Sequence, residues 1–280
     1  MKKLYLMTDL EGVAGVVDAD NWIYTHSRYY DLAKELLTAE VNAAIEGFLE
    51  GGIEEILVAD GHGQGALFSH KLHPRVLYQR GWCGWPLSLD KSYDAIAWVG
   101  QHGKAGTPQA HLAHTQSFEF IDFSINGLSV GEPGQFGLCA SELGVRAIFG
   151  AGDLAFTREL QALYPGIETV SVKHGINPES GDELDLNAYQ KHQLCAVHVS
   201  PEVSRQRIRA GAERAVRRAK AEKFGLLPIK TPVDCAMVLR PTEASPQKRV
   251  SRWSHPTSVI AALNMNWMAN VQPASDATQR

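Results

Sequence analysis

The sequence predicts an α/β fold: a mostly parallel sheet core flanked by helices, with an inserted antiparallel α+β region. Three observations lead there. "KKLYLMTDLEG" and "IEEILVADGHG" each carry a short apolar run with no polar face, as strands covered on both sides require. Between them Leu32, Leu36, Leu37, Val41, Ala44, Ile45, Phe48 and Leu49 recur at three- and four-residue spacing, the stripe of a long amphipathic helix. Further on, "FEFIDFSINGLSV" alternates apolar and polar residues up to Asn126-Gly127, a pair that tolerates the positive φ of a type I′ hairpin turn.

The first strand covers Leu4 to Met7, and the helix begins near Tyr29 and is stopped by Gly51-Gly52. The second strand covers Ile56 to Ala59. Strand, helix, strand at this spacing is a βαβ unit with parallel strands and a right-handed crossover. The C-terminal ends of both strands therefore lie on one sheet edge, where open α/β sheets bind ligands. "GWCGWPLSLDKS" reads as a loop, and Ala95 to Val99 as a third strand with His102 beyond its end. The hairpin returns through Leu128 to Val130 and delivers Glu132 into "GEPG". "GVRAIFGAGD" and "TVSVKHG" read as strands around a helix near Phe156 to Leu163. "SPEVSRQRIRAGAERAVRRAKAEK" is helical, with Ser200 as N-cap and Pro201 in the first turn. "VDCAMVLR" returns as strand, before a short helix near Ser258 to Met268. The division expected is an α/β core of residues 1–78 and 145–280, an insertion of residues 79–144 carrying His102, His114 and Glu132, and a disordered polar tail over 270–280.

Composition narrows the function classes. The chain has 280 residues, enough to bury a substantial core, and 44% hydrophobic with 21% charged residues is ordinary for a globular protein of this size. A net charge of −4 argues against nucleic-acid binding by bulk charge. The arginines and lysines of the helix after Ser200 fall around much of its circumference without aromatic residues for base stacking, so that helix reads as a solvated face or a subunit contact. No apolar run approaches the roughly 20 residues of a membrane span, and the apolar stretch before Asp9 is too short for a signal peptide. Cys83, Cys139, Cys195 and Cys235 are scattered with no Cys-x-x-Cys pair, which suits a cytoplasmic protein. Nucleic acid and membrane are thus not expected partners.

Asp9 and Glu11 leave one strand end; Asp60 and His62 leave its parallel neighbour. His102, His111, His114 and Glu132 complete a set of carboxylates and imidazoles suited to zinc, manganese or a similar divalent ion. Each pair alone reads equally well as a solvated turn; convergence on one edge favours a metal site. Asp60 reads either as a further ligand or as a residue that orients a neighbouring ligand or caps the next helix, and His111 as structural or substrate-facing. The glycines Gly12, Gly61, Gly63, Gly100 and Gly103 would let the backbone close around a compact site.

Five motifs, "TDLEG", "ADGHG", "GQHGKAGTP", "AHTQSF" and "INGLSVGE", stand in the order and approximate spacing of the D-aminopeptidase DppA family, peptidase family M55, which the chain resembles over roughly Met1 to Lys173. The resemblance implies a zinc-dependent aminopeptidase on an α/β core, with two zinc ions per subunit. It implies metal ligands at Asp9, Glu11, His62, His102 and Glu132, with Asp9 as the bridge, and a catalytic histidine at His114. It also implies short peptide substrates with a small N-terminal residue, D-amino acids included, and a homo-oligomer. Two positions depart from the family pattern: Met7 stands where a serine is usual, and Thr115-Gln116 precede Ser117 in "AHTQSF". The residues by themselves also suit another binuclear metallohydrolase, an amidase or a phosphoesterase with Lys104 as its cation, or a non-catalytic metal-binding protein.

Overall fold

The structure, a computed structural model, describes residues 1–274. Strand β1 (Lys3–Thr8) is the third strand of a seven-stranded sheet. On one side it pairs in parallel with β2 (Glu55–Asp60), which pairs with β3 (Val76–Gln79). On the other side follow β4 (Ala95–Gln101), then β7 (Arg146–Asp153) and β8 (Glu168–Gly175), all parallel, and the antiparallel edge strand β9 (Ala196–His198). A second sheet of five strands is antiparallel and runs β12 (Gln272–Pro273), β11 (Arg249–His255), β10 (Val233–Leu239), β5 (Phe120–Ile125), β6 (Leu128–Ser129).

The alternation of β1 explains the layers. Leu4 and Leu6 point into a cluster with Leu37, Val41, Ile45 and Phe48 of helix α2 (Tyr30–Glu50) and with Ile208, Ala212, Ala215 and Val216 of α6 (Pro201–Ala221). Tyr5 and Met7 point to the opposite face, against Phe136 and Ala140 of α3 (Glu132–Glu142) and Phe156 and Leu160 of α4 (Leu154–Leu163). Leu138 and Cys139, on the other side of α3, pack on Phe123, Cys235, Met237 and Trp253 of the second sheet. Helix α3 is thus the shared layer between the sheets. Three short helices complete the chain: α1 (Ala19–Trp22), α5 (Leu186–His192) and α7 (Val259–Leu263).

The expected fold class is the observed one. Asn126 and Gly127 both take positive φ, as the hairpin reading requires, and Ser200 caps α6 by accepting from Val203 N. The structure divides the chain differently from the expected boundaries. β4, placed in the insertion, pairs with β1 and β7 at the middle of the parallel sheet. Conversely β10 to β12, placed in the core, complete the antiparallel sheet begun by β5 and β6. Part of the tail expected to be disordered is ordered: Gln272 and Pro273 pair with β11 and Ala274 N donates to Lys248 O. The remainder of that expectation, 275–280, lies outside the described residues. The last helix is shorter than expected, Val259–Leu263, although Trp267 beyond its end still packs on Phe123 and Trp253 of the second sheet. Arg209, Arg214, Arg217 and Arg218 of α6 pair with Glu46, Glu50, Glu168, Glu213 and Glu222 of the same chain. Among the described residues no helix is long and apolar enough to cross a membrane.

Candidate metal centre

Five backbone segments bring the six predicted ligand and catalytic residues together. Asp9 and Glu11 follow β1, held to the end of β4 by Asp9 N to Val99 O (3.0 Å) and Gly12 N to Gly100 O (2.7 Å). His62 follows β2. Its loop is closed by Asp60, whose carboxylate accepts from Ala66 N (2.9 Å), Leu67 N (3.2 Å) and the Tyr78 hydroxyl (3.1 Å). Asp60 therefore closes the loop that carries His62. His102 follows β4, and His114 lies in the loop from β4 to β5. Glu132 is the first residue of α3, not an exposed bend after the hairpin. Gly131 N donates to Glu159 Oε1 (2.8 Å) and Gln116 N to Glu132 Oε1 (2.7 Å), which fixes the carboxylate at the helix start.

Each histidine spends one ring nitrogen on the backbone. His62 Nε2 donates to Ile23 O (2.8 Å), His102 Nδ1 to Gly103 O (2.9 Å) and His114 Nδ1 to Leu112 O (2.9 Å). A carbonyl can only accept, so the other nitrogen of each ring is left to face the carboxylates. His62 Nδ1 is 3.3 Å from both Asp9 Oδ1 and Glu11 Oε2, His102 Nε2 is 3.1 Å from Asp9 Oδ2, and His114 Nε2 is 3.9 Å from Glu132 Oε1. The His102 and His114 rings stack with centroids 4.0 Å apart.

Acceptors turned towards one another at such distances need a cation between them. A proton serves in part: the carboxylates outweigh the cost of burial and lift His62 well above its ordinary value and His102 to about 10. Burial alone would raise Asp9 too, but His102 and His62 hold it well below the usual carboxylate range. Burial and the charge on Asp9 push Glu132 up to about 7, while burial and His102 push His114 down to about 4. A proton does not complete the site, however. Asp9 Oδ2, Glu11 Oε2 and His102 Nε2 are buried without a hydrogen-bond partner, so the 3.1 Å contact between Asp9 and His102 lacks hydrogen-bond geometry.

A divalent ion fits where the proton does not. Donors about 2.0–2.1 Å from a tetrahedral zinc stand about 3.3 Å from one another, close to the 3.1 and 3.3 Å separations here. The residues form two groups, Asp9 with Glu11 and His62, and His102 with His114 and Glu132; within each, potential ligand atoms lie within 4.8 Å of one another. Asp9 stands at their junction, one oxygen towards each group.

His111 is not brought in. It is buried, with N on Asp153 Oδ2 (3.2 Å) and Nε2 on Val17 O (2.9 Å), and burial with Lys173 nearby pushes its pKa down to about 2. It helps hold the segment that follows Glu11. Sequence reasoning missed the other residues that do so. Glu40 accepts from Ala14 N (3.1 Å) and Ser204 Oγ (2.6 Å), His198 Nδ1 accepts from Gly15 N (3.1 Å), and Lys173 Nζ donates to Val16 O (3.1 Å). A carboxylate inside the apolar stripe of α2 and a lysine inside β8 were the signals available. Lys104 donates to Ser129 Oγ in the hairpin, so its ammonium is committed away from the ligands.

A parallel sheet with paired carboxylate–histidine clusters at its C-terminal edge defines an α/β protein with candidate metal-ligand groups where such sheets bind ligands. The family follows from the sequence match. The D-aminopeptidase family of peptidases, M55, matches residues 1–254, and the chain belongs to it. That family hydrolyses peptide bonds. A D-aminopeptidase of Bacillus subtilis (strain 168) is 32% identical over 180 residues, which cover 62% of this chain and 65% of that protein. The solved structure of the Zn-dependent D-aminopeptidase DppA from Bacillus subtilis, described as a self-compartmentalizing protease, superposes with a TM-score of 0.78. The match covers 92% of this chain and 93% of that one at 22% identity, and shows the shared fold.

Proposed function

We propose that the chain is a zinc-dependent aminopeptidase that hydrolyses short peptides, D-amino-acid N-termini included, at a binuclear site. Asp9, Glu11, His62, His102 and Glu132 would hold the metal, with Asp9 as the bridge. The observation that carries this reading is the placement of Asp9, whose two carboxylate oxygens face the free ring nitrogens of two different histidines. The zinc relative supports the choice of ion.

When bound, a zinc pair supplies Lewis-acid polarisation of the scissile carbonyl and a water of lowered pKa. The protein groups do the rest. His114, with its Nδ1 proton fixed on Leu112 O, presents Nε2 towards Glu132 as the atom that takes up and returns a proton. The backbone bonds to Ile23, Gly103 and Leu112 fix ring orientation before substrate arrives. Lys104, the cation named for a phosphoester reading, serves the hairpin, and Arg80 near the site donates to Asp60 O and Gly63 O. The self-compartmentalizing relative supports a homo-oligomer for this chain as well.

The deciding experiment is metal analysis of purified protein coupled to hydrolysis of matched D- and L-alanyl peptides, with analytical ultracentrifugation on the same sample. About two zinc ions per chain, and hydrolysis abolished by chelation and restored by zinc, are the expected results. Protein without stoichiometric metal, or hydrolysis indifferent to chelation, overturns the reading.

A further inference from the structure

Beside Glu132 the site opens into a cavity of about 330 Å³. Asp60, Arg80, Gln101, Gln116 and Glu132 supply its polar lining, with the Arg80 guanidinium donating to Asp60 O and Gly63 O, so the cavity adjoins the candidate metal cluster. The apolar lining is Met7, Trp85, Leu87, Trp98 and Phe136, with Trp82 added at 66% exposure. Trp82 and Trp85 meet edge to face at 5.5 Å, and Trp98 and Phe136 do so at 6.1 Å. These are mutually supporting walls of an aromatic pocket.

The size decides what such a pocket can take. A cavity of about 150 Å³ lined by apolar side chains holds benzene. The volume here is about twice that, at the small end of the ~300–1,000 Å³ range of ligand pockets. A methyl side chain would leave most of it unfilled, whereas one large side chain with its adjoining peptide unit would occupy it. Two residues of the lining carry buried polar atoms without a partner, the Trp98 indole N–H and Gln101 Oε1. Met7 lines the same cavity with a thioether, a group suited to contact with aromatic rings.

We propose that this cavity is the subsite for a large apolar or aromatic side chain on a residue flanking the scissile bond. The substrates are then short peptides carrying such a residue on one side of the scissile bond, a requirement the small N-terminal residue expected from sequence does not include. The proposal rests on the aminopeptidase reading of the adjoining metal cluster.

The test uses zinc-loaded full-length protein and the dipeptides Ala-Ala, Phe-Ala and Ala-Phe in both configurations. The better phenylalanine dipeptide is expected to exceed Ala-Ala by at least about tenfold in kcat/KM. Trp85→Ala should erase most of that ratio. Trp82→Ala, at an exposed position that the fold does not need, should lower the ratio in the same direction. In parallel, tryptophan fluorescence is titrated with phenylalaninamide and alaninamide, a readout independent of turnover. Hydrolysis with Ala-Ala equal to or better than both phenylalanine dipeptides overturns the subsite and leaves the peptidase reading intact. No hydrolysis of any peptide, with phenylalaninamide bound at least tenfold more tightly than alaninamide, overturns the peptidase reading and supports the apolar subsite. Absence of both overturns both.

Discussion

Gly12→Ala tests whether close contact between two strand ends sets the metal geometry. Gly12 directly follows Glu11, and its N–H donates to Gly100 O at 2.7 Å. A Cβ built there would stand 1.9 Å from Gln101 O and 2.6 Å from Gly100 O, both backbone atoms that cannot rotate aside. Ordinary contact is about 3.5 Å, so the segment after β1 must retreat from the end of β4 by roughly 1.5 Å. Glu11 lies on one side of that gap and His102 on the other. Ligand separations of 3.1 to 3.3 Å cannot absorb such a shift and still surround one ion. Overpacking of this kind costs about 1–3 kcal/mol, a fall in Tm of several degrees at roughly 2–4 °C per kcal/mol. A 1 Å misplacement costs catalysis about 10²-fold. The assay is differential scanning calorimetry with zinc content and peptide turnover on the same preparation. Gly63→Ala is the stability control, because a methyl there meets nothing within 4 Å. A Gly12→Ala protein with full zinc content and the parent Tm would refute the reasoning.

Three further outcomes are expected. Burial, partly offset by Ser204 and the Ala14 N–H, pushes Glu40 up from its ordinary 4.5 to about 7, with Lys173 and Arg205 as the facing cations. A raised carboxyl pKa means the unfolded state gives up its proton first, so stability from this group is lost as pH rises from 4.5 through 7. The loss between pH 5 and pH 8 is about 2–3 kcal/mol; urea unfolding of Glu40→Gln should show a pH dependence flatter by that amount, and an unchanged one would sink the assignment. His114→Gln should lower kcat by about 10²–10⁴ with zinc content retained; loss of a zinc ion in this variant would instead make His114 a ligand. Chelation should lower Tm, and zinc at 100 times its Kd should restore about 2.7 kcal/mol, a rise of several degrees; a Tm blind to zinc contradicts the metal site.

How much of this was legible in the sequence depends on how local the cause is. β1, α2 and β2 could be read because their apolar residues repeat along a short segment, and Asn126-Gly127 because two adjacent residues define the turn. Asp9, Glu11, His62 and His102 could be placed together because parallel strands share an edge whatever the side chains are. Helix α3 was missed because "EPGQFGLCASE" carries two glycines and a proline and buries residues on two opposite sides, which erases the single apolar stripe. Glu132 could therefore be named as a candidate from its motif, but its place at the start of a helix could not be read. The sheet membership of β4 and β10 is a matter of distant pairing, which no local pattern encodes. Glu40 and Lys173 were passed over because a charged residue in a helix or strand ordinarily faces water.

The position of α3 links these points. Its first residue supplies Glu132, its Phe136 lines the cavity, and its Leu138 and Cys139 bind the antiparallel sheet. The metal cluster is therefore not a property of the parallel sheet alone. Four of the proposed ligands come from the edge formed by β1, β2 and β4, but the fifth arrives only when the hairpin of β5 and β6 seats the start of α3 beside Gln116. Gly131, whose N–H is held by Glu159 of α4, fixes that seat from the other side. The second sheet thus acts on the chemistry through one helix, and sequence changes in its core that tilt α3 should be felt at Glu132 before they are felt at Asp9.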